Sequence, residues 1–347
     1  MLSVPWHIPS CNIKNIKPEY DGVTTSFNNE VFTLLEQIKE EVGVYKLKNG
    51  SDSWRHAVNS VDTNIRLPLT LQSPINRAYY KMIEIIRTCI IQPVSKSFHM
   101  CEAPGGFVQA CMTEFKSHNL KEVHSTSLIA TNNPIISSIL KKDGVNVHSF
   151  ENNDICMENI REQHIKEIGK HSCELITADG AIDNDHNPEN TEENSACLLA
   201  SEIKLAMHLQ KEGGTFVVKV FGARLKITCE LIAILCHLYK NVQIVKPLTS
   251  RSVNDERYIV CQEFQCDKII DMPNITHGYL THICDIDPYW FNELEKTVTT
   301  LANTQYTYLK KALSFDKNKH GKGKGYRGKG GRGIHKSRGR GYYTTSN

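Results

Sequence analysis

The chain has 347 residues, 40% of them hydrophobic and 23% charged, which is enough apolar material for a full core in one large domain or two small ones. Its 12 cysteines form no CxxC pair and no disulfide or zinc spacing, and neither a secretory leader nor an apolar run of the ~18 residues a membrane span needs is read. The expectation is a reduced intracellular protein of the cytoplasm or nucleus, with no metal and no membrane partner.

The net charge of +3 hides a division. Ten of the 41 Lys/Arg fall between Lys317 and Arg340, while all 38 Asp/Glu precede Lys317, so residues 1–316 hold 31 bases against 38 acids, a net of −7.

Residues 1–70 read as an N-terminal extension, with Pro5, Pro9 and Pro18 near its start. A helix is predicted over Glu30–Val42, where Val31, Leu34, Leu35, Ile38 and Val42 recur at helical spacing. A second amphipathic helix covers Asn76–Ile91, bracketed by Pro74 and Pro93. From there strands and helices alternate: strand Ser97–Met100, helix Gly105–Phe115, strand Glu122–Leu128, helix Asn133–Lys142, strand Val145–Phe150, helix Glu158–Gly169. The series continues with strand Glu174–Thr177, helix Asn194–Lys211, strand Thr215–Val220, helix Lys226–Tyr239 and strand Val242–Val245. Alternation of this kind demands right-handed crossovers, so residues 71–266 are predicted to form an α/β, doubly wound, mostly parallel seven-stranded sheet. Only a helix-free loop separates Val242–Val245 from Glu256–Phe264, which predicts an antiparallel pair at one edge. Residues 267–316 loosen into a C-terminal extension with helical character around Trp290–Lys311. Residues 317–347, with Tyr326, Tyr342 and Tyr343 set among glycines and bases, lack the apolar surface to fold and read as a disordered tail.

Ligands of an open parallel sheet bind outside the carboxyl ends of its strands, so polar residues there carry the chemistry. After the first sheet strand comes Glu102-Ala103-Pro104-Gly105-Gly106-Phe107, whose paired glycines permit a close backbone approach in front of a helix start. The third strand is followed by Asn153-Asp154-Ile155 and the fourth by Ala178-Asp179-Gly180; Asp before Gly is also ordinary turn chemistry. Lys219 lies inside Val217-Val218-Lys219-Val220-Phe221, where a lysine in an otherwise apolar strand needs a partner or a task to offset its desolvation.

Over residues 74–264 this arrangement resembles the FtsJ/RrmJ-type 2′-O-methyltransferases of RNA, a class I, Rossmann-like fold, and among them the mRNA cap ribose methyltransferases of eukaryotes and large DNA viruses. The resemblance implies S-adenosylmethionine as cofactor and a Lys-Asp-Lys-Glu tetrad, matched in order by Lys81 in Asn-Arg-Ala-Tyr-Tyr-Lys-Met, Asp179 in Ala-Asp-Gly, Lys219 in Val-Lys-Val-Phe and Glu256 in Asp-Glu-Arg-Tyr. It implies cofactor contacts at Pro104, Gly105, Gly106, Phe107, Asp154 and Asp179, and substrate contacts at Arg251 and Ser252. Two positions depart from the family pattern: His99 stands where many members have Asp, and the second strand ends Ser125-Thr126-Ser127 without an acid for ribose hydroxyls. Burial beside Lys81 is expected to push the Lys219 amine toward its neutral form, as a general base requires, with the two carboxylates opposing.

The implied function is methylation of a ribose 2′-hydroxyl near the cap of mRNA, with capped mRNA as partner and the basic tail holding RNA without sequence preference. Ribosomal or transfer RNA as the target, and a non-catalytic RNA-binding subunit of a capping or polyadenylation complex, stay open as alternatives. For a cap guanine, Trp6, Trp54, Tyr79 and Tyr80 are stacking candidates by type.

Overall fold

The computed structural model describes residues 3–20, 22, 25–62, 74–116, 120–129, 135, 139, 142–182, 191–273 and 280–321, with the side chains of 316–321 excepted. Its strands are β1 (Trp6–Ile8), β2 (Glu19–Tyr20), β3 (Lys96–Met100), β4 (Glu122–Ser125), β5 (Val145–Val147), β6 (Cys173–Ala178), β7 (Gln210–Phe221), β8 (Tyr239–Val245), β9 (Glu256–Phe264) and β10 (Leu280–His282). Eight of them form one sheet in the order β1-β8-β9-β7-β6-β3-β4-β5, while β2 and β10 pair separately.

Two features differ from the sequence expectation. The sheet has an eighth strand, because Trp6–Ile8 pairs antiparallel with Ile244–Val242 of β8; three residues lying between two prolines are too few to show a period. The antiparallel strand β9 is interior rather than at an edge: it pairs with β8 on one side and with β7 on the other. The edge beyond β8 belongs to β1.

Alternation along β7 decides which residues face which helices. Phe216, Val218 and Val220 point to the layer containing helices Ala196–Leu209 and Lys226–Leu238, and Val217 points to the layer of Tyr79, Met82 and Phe107. Lys219 follows Val217 by two and shares its face. So do Tyr258 and Val260 of β9.

The helix Arg77–Thr88 covering that face begins at Asn76, whose side chain accepts from the Ala78 N–H at 3.0 Å, as an N-cap does. A further helix, Ser51–Val61, follows Glu30–Asn49 after Gly50, whose φ of 84° breaks the helical path. The C-terminal helix runs Pro288–Gly321, past the stretch predicted for it and into the first residues of the basic segment. The two extensions pack together, with the Phe27 and Phe291 rings 4.6 Å apart and the Trp290 Nε1–H donating to the Pro9 carbonyl at 2.8 Å. Most of the predicted helix Asn133–Lys142, and residues 322–347 of the tail, lie outside the described residues. No described helix is long and apolar enough to cross a membrane.

Candidate active site

The chain leaves β3 toward β4 and β5 on one side, then returns through β6 to β7 on the other. The β3/β6 boundary is therefore the switch point, and a crevice opens at its carboxyl end. Met100 and Asp179 flank it, with the Asp179 N–H directed at the Met100 carbonyl at 3.4 Å.

Four residues distant in sequence meet there. Asp179 follows β6 directly, and Ala178 pairs with Val218, so the next residue, Lys219, lies beside it. The Lys219 Nζ donates to the Asp179 carbonyl at 2.7 Å and lies 3.2 Å from Oδ1 of the same residue. Lys219 is paired in register with Tyr258, and Glu256 is two residues along β9 on the same face. Lys81, from the covering helix, completes the group with its Nζ 2.7 Å from Glu256 Oε1 and 2.8 Å from Oε2. Both lysine side chains are largely buried, at 7% exposure for Lys219 and 13% for Lys81.

Tyr258 joins the two ion pairs. Its hydroxyl donates to Asp179 Oδ1 at 2.8 Å and is 3.5 Å from the Lys81 Nζ. A strand's period of two, counted from Glu256, was the available signal for it.

Electrostatics correct one expectation. Burial disfavours the charge of Lys219, but Asp179, Glu256 and Glu202 together outweigh burial and raise its proton affinity above that of an ordinary lysine. Lys219 is an ammonium in this state, not the partly neutral amine expected beside Lys81. Burial likewise opposes ionisation of Glu256, yet Lys81, Lys219 and Lys246 hold its pKa at about 2. Glu202 lies behind the Asp179-Gly180 turn, where a Cβ on Gly180 would strike its carboxylate, and burial pushes it up to about 8.

The loop before β9 is fixed from two sides. Glu84 accepts hydrogen bonds from the Leu248 and Thr249 N–H groups and the Thr249 hydroxyl at 2.8–3.0 Å. The Ser250 hydroxyl donates to Glu256 Oε1 at 2.8 Å. Ser250 thus touches the tetrad. Arg251 is half-buried and its Nε has no partner, while Ser252 lines a separate cavity.

At the glycine turn the Ala103–Pro104 peptide is cis and Gly105 has a φ of 116°, open to glycine and strained for other residues. A Cβ on Gly105 would sit 3.0 Å from Ile139 and 3.6 Å from Ile75. Gly106 serves packing: a Cβ there would collide with the Asn76 cap and lie 2.9 Å from the Ala78 Cβ, so two helix starts abut at this point. Pro104 is buried in the turn, and Phe107 is buried in the core with its ring 5.8 Å from that of Tyr258. Across the crevice Asp154 accepts the Cys156 N–H at 2.9 Å and stays partly exposed.

The model of the FtsJ-like methyltransferase family matches residues 74–264, more than half of the chain and the whole of the segment that builds this crevice. The chain belongs to the FtsJ-like methyltransferase family. As a member, it is 26% identical over 272 residues to a cap-specific mRNA (nucleoside-2′-O-)-methyltransferase 2 of Drosophila melanogaster, covering 70% of this chain and 39% of that protein. The protein of the same name from Danio rerio is 30% identical over 215 residues, covering 56% of this chain and 29% of the relative. A probable methyltransferase of African swine fever virus is 23% identical over 262 residues, covering 69% and 60%. This FtsJ-like chain therefore spans between 29% and 60% of the length of these relatives.

The family's methyl donor is S-adenosylmethionine, and the crevice fits it. The buried hydroxyls of Ser125 and Thr126, at the carboxyl end of β4, have no hydrogen-bond partner. Such orphaned groups suit a ligand rich in hydroxyls and ring nitrogens. They stand at the strand end where the family pattern has an acid for ribose hydroxyls. With them, Gly105 would admit the donor's amino-acid portion, Asp154 would hold its base, and Asp179 would lie between donor and tetrad.

Proposed function

We propose that the chain transfers the methyl group of S-adenosylmethionine to a ribose 2′-hydroxyl near the 5′ cap of mRNA, acting in the nucleus or cytoplasm. One observation carries the reading: two amines and two carboxylates from four separate elements converge at the switch point, beside the glycine turn. When bound, S-adenosylmethionine supplies an electrophilic methyl on a cationic sulfur. The chain's own task is to hold a hydroxyl in line and remove its proton. Lys219 holds and steers the hydroxyl, and the neutral fraction of its amine, formed when the ammonium releases a proton to solvent, is the group that takes the hydroxyl's proton as the methyl is transferred. Lys81 offers positive charge to the developing alkoxide, and Asp179, Glu256 and Tyr258 fix both ammonium groups.

Capped mRNA as the target is supported by the names of the Drosophila and Danio relatives and by the Asn-Arg-Ala-Tyr-Tyr-Lys-Met setting of Lys81. Capped and uncapped versions of one RNA, incubated with labelled donor, test it. Label entering the capped RNA alone is expected; equal label in both discards the cap, and none in either favours a non-catalytic RNA-binding protein.

A further inference from the structure

Glu202 is out of place where it stands. It lies on the helix Ala196–Leu209 among Leu199, Ala200 and Ile203, all of them buried, and is itself 2% exposed. A carboxyl group in that setting is costly to bury unless partners or a task hold it there. The tetrad does not include it.

Its partners come from the two turns that flank the crevice. Cys101, the first residue after β3, donates its thiol hydrogen to Glu202 Oε1 at 3.6 Å. Gly180, the second residue after β6, donates its N–H to the same carboxyl group and sits so close that a Cβ on it would overlap Oε1 and lie 3.2 Å from the Cys101 Sγ. The strands themselves stop short of these residues: the last paired positions of β3 and β6 are Met100 and Ala178, and the next contact, from the Asp179 N–H to the Met100 carbonyl, is stretched to 3.4 Å. Where the ladder ends, the carboxyl group takes over. Burial pushes its pKa up to about 8, with Lys219 lowering it and Asp179 raising it, so at neutral pH the tie works through acceptor oxygens and not through charge.

The two residues it joins lead in opposite directions. Cys101 opens onto Glu102-Ala103-Pro104-Gly105, the turn that admits the donor, and holds a φ of 53°, a left-handed value that a non-glycine residue keeps only where its surroundings fix it. The far end of that turn is fixed separately, by Glu102 Oε1 accepting the Val108 N–H at 2.9 Å. Gly180 follows Asp179, whose carbonyl accepts from Lys219. We propose that Glu202 is a positioning residue for the methyl transfer: one buried carboxyl group clamps the donor turn at Cys101 to the tetrad turn at Gly180 and so sets the distance between the donated methyl and the hydroxyl held by Lys219. This rests on the RNA-methylation reading. A misplacement of ~1 Å between reacting groups costs on the order of a hundredfold in rate, so such a clamp is felt in kcat although it touches neither reactant.

Glu202→Ala removes the clamp, whereas Glu202→Gln keeps its shape and an acceptor oxygen. The Ala variant should raise the Kd for S-adenosylmethionine, measured calorimetrically without RNA, about tenfold and lower kcat at saturating donor about tenfold, with the KM for capped RNA within about twofold of wild type. The Gln variant should recover most of both losses. Gly180→Ala drives a Cβ into the carboxyl group and should weaken donor binding by a similar factor in the wild-type background but by less in the Glu202→Ala background. A folded Glu202→Ala with wild-type donor affinity and kcat, whatever its urea midpoint, would overturn the clamp and leave RNA methylation standing, as would losses that Gln fails to recover. If Glu202→Ala does not fold, Gly180→Ala alone decides: weakened donor binding supports the clamp and unchanged binding overturns it. Weakened donor binding in the variants with no RNA methylated by the wild-type protein would keep the clamp and reject the RNA-methylation reading.

Discussion

In the proposed reaction Lys219 concentrates the chemistry and also its main difficulty, because a buried ammonium surrounded by three carboxyl groups gives up its proton reluctantly. If it is the base, kcat should climb about tenfold per pH unit between pH 7 and 9, as the neutral fraction of a group of raised pKa grows. A flat profile would leave Lys219 a steering role only. Lys219→Ala should lower kcat by about a thousandfold while S-adenosylmethionine binding, measured calorimetrically, stays near wild type; retained turnover would remove it from the chemistry. Gly106→Ala tests a purely structural claim. The added Cβ meets the Asn76 cap and Ala78, so a loss of about 1–3 kcal/mol in denaturant unfolding is expected. At this scale Asp179 and Lys219 were legible from a strand end and from an apolar strand where a lysine is out of place, whereas Lys81, on an amphipathic helix, and Glu256 were reached only through the resemblance to the family's tetrad. Tyr258 and Ser250 were not legible, since tyrosine and serine are at home in a strand and a loop and only cross-strand register reveals their partners.

Among the elements, β3, β4, the segment after β5 and helix Glu158–Ile168 share a histidine cluster that the tetrad does not use. His124 Nδ1 is 2.8 Å from His148 Nε2, and the His148 and His164 rings are 5.5 Å apart; Lys96, Glu122 and Glu167 are charged neighbours. Burial lowers the pKa of His99 to about 3, His148 to about 4 and His164 to about 3, each with a histidine neighbour adding to the shift. The unfolded chain binds these protons near pH 6.5 and the folded one does not. Stability from these groups is therefore complete above pH 6.5 and is lost as pH falls from there toward 4 and 3. The urea midpoint should drop between pH 7.5 and 5.5, and His164→Phe, which removes two buried nitrogens without partners, should shrink that drop. An unchanged difference in the variant would contradict the cluster's role. Among the described residues, strand and helix order from Asn76 to Phe264 was readable from periodicity alone. What escaped were elements too short or too dependent on distant partners: β1, the β2–β10 pair and the place of β9 between β7 and β8.

Over the whole molecule an acidic body and a basic tail carry opposite charge, and on the proposed reading they would act in opposite senses on RNA. Residues 1–316 carry a net −7, which repels a polyanion, and eight of the ten tail bases lie in 322–347. Removing 322–347 keeps the Pro288–Gly321 helix and should weaken RNA binding and flatten its salt dependence, by about 0.7 in the log–log slope for each phosphate no longer neutralised, with kcat retained. An unchanged slope would show that the tail does not touch RNA. Composition made this division plain. The packing of the extensions was not legible in the same way, because it joins residues from both ends of the chain, as Phe27 with Phe291. The most direct test of the account is mass-spectrometric mapping of the methyl group in a capped transcript treated with wild-type protein and with Lys219→Ala. The account predicts one added methyl on a ribose 2′-oxygen next to the cap with wild type and none with the variant; a methyl on a base, or on riboses of uncapped RNA to the same extent, would contradict it.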